Sequence, residues 1–172
     1  MRTIEQIVTE LKKDYTRWSN EDEDMEAYDD ESVPFFNEDR TGSMVSVMLV
    51  PQEENYKEAF KKLRDNDVLM DMGAGDLRFA LRASALCKKV YAVEMNTKTL
   101  TRALNIIGYG IPRNLIVICA DWRDVKIPED VTVIMCLCNG ADLEKRWLDN
   151  KRAVYHGTVT TEHGARLVEV GH

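Results

Sequence analysis

The chain lacks any apolar run near the ~20 residues that cross a bilayer as a helix. Its first stretch, MRTIEQIVTELKK, has charges spread through it and no apolar h-region, so it does not read as a signal peptide. Cysteine is scarce. Cys87, Cys119, Cys136 and Cys138 lie in apolar stretches without the paired spacing of a zinc site, and no metal is expected. They are expected to be reduced core thiols in a cytoplasmic protein. Positive charge is also in short supply, with a formal net charge of -7. That deficit disfavours a nucleic-acid backbone as partner and leaves basic proteins or small molecules open. The shortage is sharpest in residues 21–31, EDEDMEAYDDE, with eight carboxylates and no basic residue. Such a run is either a self-repelling, solvated linker or an electrostatic lure for a lysine-rich partner. Internal repeats are absent as well.

What remains is material for one ordinary domain: 172 residues, 44% hydrophobic and 31% charged. Ile4, Ile7, Val8, Leu11, Tyr15 and Trp18 recur at helical spacing, so residues 2–18 are expected to form an amphipathic helix that docks on something. Residues 33–43 read as loop and 44–51 as a short extended segment stopped by Pro51. Residues 52–66 read as a helix with Tyr56, Ala59, Phe60 and Leu63 on one face. From there strand and helix alternate. VLMDM is a strand, residues 77–87 a helix, KVYAVE a strand, residues 97–108 a helix, and NLIVICAD and VTVIMCLC are strands. ADLEKRWLDN reads as a short helix, and RAVYHGTV and ARLVEVG as two more strands. The central strands are continuously apolar, as strands covered on both faces are. Strand–helix alternation at this spacing implies a doubly wound α/β sheet of about six strands, with helices on both faces and an N-terminal helical appendage. The expected division is 1–43, helix and acidic linker, followed by a domain over 44–172.

The first strand runs into DMGAGD, residues 71–76. In a doubly wound sheet, ligands bind beyond the carboxyl ends of the strands where the strand order reverses, and this turn falls there. Gly73 and Gly75 let the backbone turn sharply and let a ligand approach. A dinucleotide corner reads G-x-G-x-x-G, but Arg78 holds the third glycine position and Asp71 and Asp76 flank the pair. Two carboxylates repel a pyrophosphate, which disfavours a nicotinamide oxidoreductase. They attract a cation, and S-adenosylmethionine carries a sulfonium and an α-ammonium. The next strand ends in Glu94, about 20 residues past the glycines, where an acid accepts both ribose hydroxyls of an adenosine; Met95 follows it. The third strand ends in Asp121-Trp122, an acid for the adenine amino group beside an aromatic that covers the ring. Each acid, taken alone, could instead cap a helix.

D-M-G-A-G-D (71–76), Glu94 and Ala120-Asp121-Trp122 resemble the cofactor motifs of class I S-adenosylmethionine-dependent methyltransferases, over roughly residues 44–170. Within that superfamily the chain is most similar to the small archaeal protein-lysine methyltransferases. Their corner is of D-x-G-S-G-D-G-R type, and Asp71 to Arg78 reads D-M-G-A-G-D-L-R. Val50-Pro51 matches the start of their V-P-T-P segment, with Gln52-Glu53 replacing the rest. Residues 152–156, RAVYH, resemble their R-V-V-S-H strand, and RLVEVG the next. The sequence stops soon after RLVEVG, ahead of the family's last strand.

The resemblance implies a Rossmann-like methyltransferase fold. It implies S-adenosyl-L-methionine as cofactor, held by Asp71, Gly73, Ala74, Gly75, Asp76, Glu94, Met95, Asp121 and Trp122, and methyl transfer to a protein lysine. An amine acceptor must be neutral to attack, and burial lowers its pKa, so the lack of an obvious general base is no obstacle. The N-P-P-Y motif of adenine and glutamine amide methyltransferases is absent. The candidate catalytic residues are Asn139, which either orients the acceptor amine or turns the chain at Asn-Gly, and His156, which either faces the pocket or is structural. Trp147 fits helix packing. The alternatives are a methyltransferase acting on a small molecule, or a methyltransferase-like cofactor-binding protein without catalysis, acting as a partner subunit; a homodimer is a further expectation for the chain.

Overall fold

The computed structural model describes residues 2–21, 52–137, 153–160 and 164–169, with side-chain detail over 2–14 and 56–137. Cys138, Asn139, Trp147, the 33–43 loop, the 44–51 segment, residues 141–150 and all but the first residue of the acidic run lie outside the described residues.

Six strands among the described residues form one sheet in the order β3-β2-β1-β4-β5-β6. They are β1 Val68–Met72, β2 Lys89–Glu94, β3 Leu115–Cys119, β4 Val133–Cys136, β5 Ala153–Thr160 and β6 Gly164–Glu169. All neighbouring pairs are parallel except β5 with β6. Register places Asp71 opposite Ala92 on one side and Met135 on the other. Four α-helices accompany them among the described residues: α1 Ile4–Glu21, α2 Gln52–Lys62, α3 Arg78–Ala83 and α4 Thr97–Ile107. The chain leaves β1 toward β2 and β3, then crosses back to β4 on the other side of β1. The strand order therefore reverses at β1, and the turn after it opens at the switch point.

The period of two along each strand sorts side chains into two cores. Leu69, Ala92 and Met135 join the larger one, with Leu81 and Phe79 of α3 and Leu100 of α4. Met70, Met72, Val93, Ile134 and Cys136 join the smaller one, with Trp122. All of β1 and β4 is buried, as continuously apolar strands require. β3 departs from this expectation. It lies at the sheet's edge, Ile116 is 41% exposed, and Cys119 is exposed, not a core thiol; Cys87 and Cys136 are buried.

α1 begins at a capping box. Thr3 Oγ1 accepts from the Gln6 N–H at 3.2 Å, and Gln6 Oε1 accepts from the Thr3 N–H at 2.8 Å. Ile7, Val8 and Leu11 are buried, and Ile7 and Leu11 enter the larger core, so the helix docks on the sheet's own helices. Its polar flank is tied down too. Glu5 pairs with Arg82 of α3 at 3.2 Å, Asp14 with Arg102 of α4 at 3.2 Å, and Arg2 donates to the carbonyls of Ile106 and Ile107. A guanidinium on the last carbonyls of α4 satisfies acceptors that a helix end leaves open.

Two helices end earlier than their periodicity predicts. The 77–87 helix stops at Ala83: Ser84 Oγ bonds back to the Leu81 carbonyl at 2.6 Å, and Asn114 Nδ2 takes the Ser84 and Cys87 carbonyls at 2.8 and 3.1 Å. The 52–66 helix stops at Lys62, after which buried Asp67 accepts from the Arg64 N–H at 2.8 Å and from Thr132 Oγ1 at 3.3 Å. α4 runs almost as expected, between an Asn96 cap that accepts from the Thr99 N–H and Gly108 at φ 57°.

Candidate functional site

The turn from β1 into α3 carries three residues with positive φ in alternation: Gly73 at 77°, Gly75 at 57° and Leu77 at 66°. Glycine reaches that region freely; a leucine there is strained by roughly 1–2 kcal/mol. The turn is stitched to the end of β2. The Gly73 and Ala74 N–H groups both donate to the Val93 carbonyl, at 2.9 and 2.8 Å. The Gly75 N–H donates to Glu94 Oε2 at 2.8 Å, and Glu94 Oε1 accepts from the Asn96 N–H at 2.7 Å. One buried carboxylate thus bridges the two strand-to-helix turns and fixes their spacing.

The four acids separate into two kinds. Asp76 Oδ1 accepts from the Arg78 backbone N–H at 3.2 Å while its carboxylate grips the Arg78 guanidinium, closest at 2.6 Å. Asp121 repeats the device: its Oδ1 accepts from the Arg123 N–H at 2.9 Å, and its carboxylate takes the Arg123 guanidinium, closest at 2.5 Å. Asp71 and Glu94 make no ion pair among the described residues. Asp71 is 1% exposed, and its Oδ2 has no hydrogen-bond partner. Burial first, and the Glu94 charge second, push the Asp71 carboxyl up to about 8. Glu94 is raised by burial also, while the N–H groups of Asn96, Gly75 and Met95 hold it down in part. Among the described residues, Thr99 Oγ1 is the one other buried side-chain oxygen or nitrogen without a partner, and it sits in the first turn of α4 beyond Glu94.

The structure therefore brings Asp71, Gly73, Ala74, Gly75, Asp76, Glu94 and Met95 together at the carboxyl ends of β1 and β2. Asp121 and Trp122 follow the end of β3. Trp122 is 8% exposed and packs in the smaller core, with the Arg123 guanidinium 5.6 Å from its ring. His156 lies on β5, paired with Cys136 and Val168. Asn139 is outside the described residues. Sequence reasoning missed the arginine partners, whose signal is the twice-repeated Asp-x-Arg spacing, and the role of Asn96 as cap and donor to Glu94. Among the described residues, no three His, Cys, Asp or Glu groups converge as metal ligands would. No helix there is long and apolar enough to cross a membrane.

No protein-family model matches the chain, and no curated protein does. Solved structures do. Precorrin-6y C5,15-methyltransferase of Geobacter metallireducens GS-15 aligns with a TM-score of 0.55 at 20% identity, over 76% of both chains. TYW2 of M. jannaschii, solved in complex with AdoMet, aligns at 0.52 and 20% identity over 67% of this chain and 56% of that one. A dimethyladenosine transferase of Plasmodium falciparum aligns at 0.50 and 14% identity over 66% and 43%. The chain spans about half the length of the last two. The fold is the Rossmann-like fold of class I methyltransferases. None of the three is named for a protein acceptor.

Proposed function

We propose that the chain is a methyltransferase that binds S-adenosylmethionine at the Gly73–Asp76 corner and methylates a lysine amine on a protein. The observation that carries the cofactor is the pair Asp71 and Glu94: two buried carboxylates that pair with no cationic side chain among the described residues, on a glycine corner at the sheet's switch point. A buried acid without a partner is costly, and a cationic ligand is the partner its chemistry suits. When bound, the cofactor supplies an electrophilic methyl group on a sulfonium.

Each candidate residue is assigned a part. Gly73 and Gly75, without Cβ atoms, let a ligand approach the backbone closely, and Ala74 between them ties the turn to the Val93 carbonyl. Glu94, held by the N–H groups of Gly75, Asn96 and Met95, accepts from the ribose hydroxyls with its remaining acceptor capacity. Met95 lies beside it. Asp76 stays paired with Arg78 and shapes the corner. Asp121, oriented by Arg123, accepts from the adenine amino group, and Trp122 forms the wall beneath the ring. From the sequence alone, Asn139 is assigned to orient the acceptor amine, and His156, on β5, to border the acceptor.

Two features support a protein lysine over RNA or a small molecule. The net charge of -7 repels a polyanion. The D-M-G-A-G-D-L-R corner and the Val50-Pro51 and RAVYH segments resemble those of lysine methyltransferases. The test is mass spectrometry of cell-extract proteins incubated with the enzyme and methyl-labelled cofactor. Label on lysine amines is expected. Label confined to RNA or small metabolites would remove the lysine reading, and tight cofactor binding with no label anywhere would leave a non-catalytic partner subunit as the better account.

A further inference from the structure

The four carboxylates at the strand ends are not equivalent. Asp76 and Asp121 each hold a guanidinium. Glu94 is satisfied by backbone N–H donors at both oxygens. Asp71 has neither. It lies inside β1 between Ala92 and Met135, with 1% exposure and an orphaned Oδ2. The charged and titratable groups around it do not help. Glu94 faces it from β2 with the same sign. Arg78, on the first turn of α3, is committed to Asp76. The Cys136 thiol of β4 belongs to the core on the opposite face of the sheet. An ionised carboxylate in this position is buried without a counter-charge among the described residues, next to a second acid, and the neutral acid avoids that cost.

We infer that Asp71 is a carboxylic acid in the free protein, and that a cationic cofactor entering the corner displaces its proton to solvent, so that one proton leaves for each cofactor bound. The inference rests on the cofactor reading above. The exchange makes Asp71 a sensor of ligand charge: a cation that takes the proton's place gains a counter-charge, whereas a neutral nucleoside gains nothing there. Binding then tightens with pH. With the Asp71 carboxyl near 8 in the free protein, affinity for S-adenosylmethionine rises roughly tenfold or more between about pH 6.0 and 7.5. The range stops there because an α-amino group loses its own proton near about 7.7–8.0.

Titration calorimetry at pH 6.5 in two buffers of different ionisation enthalpy reads the proton directly. S-adenosylmethionine is expected to release close to one proton; adenosine, which meets Glu94 but brings no cation, is expected to release none. Asp71→Asn should abolish both the release and the pH dependence. If that variant does not fold, infrared difference spectroscopy of the wild type carries the test: a protonated carboxyl C=O band in the free protein, lost on adding S-adenosylmethionine. Binding without proton release, equal release with adenosine, or unchanged release in Asp71→Asn would overturn this inference alone. Failure of S-adenosylmethionine to bind at any pH would overturn it together with the cofactor assignment.

Discussion

Asp76 and Asp121 each follow a strand, and each accepts from both the backbone and the guanidinium of the arginine two residues on. The arrangement neutralises an acid that the turn needs as a local acceptor. Asp71 lacks such a neighbour, and its titration has a stability cost. Its folded-state carboxyl lies near 8 against an ordinary 3.8, so the native state holds a proton that the unfolded chain has already lost. Between those values stability falls as pH rises, by about 1.4 kcal/mol per pH unit from this group, and below them the penalty is absent. Urea melts of ligand-free wild type and Asp71→Asn across about pH 5–8 should therefore diverge, the variant gaining relative stability as pH rises. Parallel curves would contradict a buried acid at this position. Leu77 offers a second residue-scale test. It is fully buried, so Leu77→Ala should cost roughly 3–5 kcal/mol. In an ordinary helix glycine is about 1 kcal/mol worse than alanine. At φ 66° the order should invert, with Leu77→Gly at least as stable as Leu77→Ala in the same melts. The strain itself was not legible in the sequence: D-M-G-A-G-D-L-R shows where a corner lies, but not that a leucine takes the conformation of the glycine that stands there in the resembling pattern.

At the scale of elements, the order of strands and helices was readable because buried strands are continuously apolar and the helices carry one apolar stripe. The ends were not. α3 stops where Asn114, distant in sequence, takes the carbonyls of Ser84 and Cys87, and nothing local to residues 77–87 announces that. The exposure of Cys119 was hidden for the same reason: LIVIC reads like any central strand until topology puts it at the edge. α1 shows the opposite case. Its stripe predicted docking, and the structure supplies the partner, with Ile7 2% exposed among α3 and α4 residues. Ile7→Ala should lower stability by roughly 2–4 kcal/mol, read as a shift in urea midpoint without a change in slope. A loss below about 0.5 kcal/mol would mean that α1 is not integral to the core.

At the scale of the whole molecule, an acidic chain presents its most negative segment, residues 21–31, next to α1 in sequence. Exposed charge acts over about 8–10 Å at physiological ionic strength and further at low salt. Replacing the eight carboxylates by their amides should leave S-adenosylmethionine affinity unchanged and weaken binding of a lysine-rich acceptor at low salt only. An equal effect at high and low salt would exclude an electrostatic role. The switch point at β1 was legible from strand–helix alternation, and with it the place where the ligand is proposed, because fold topology confines binding to the carboxyl ends of the strands. The acceptor side was not, since Asn139 and His156 have no pattern of their own that separates a site residue from a turn or a core residue. The cofactor corner is the centre of the proposed function, and its most direct measurement is calorimetric titration of S-adenosylmethionine into the wild type and Glu94→Ala. One-to-one binding is expected in the wild type, weakened roughly tenfold or more in Glu94→Ala through loss of a charge-assisted acceptor worth about 1.5–3 kcal/mol. Equal affinity in the two proteins, or binding of a nicotinamide dinucleotide in place of S-adenosylmethionine, would contradict it.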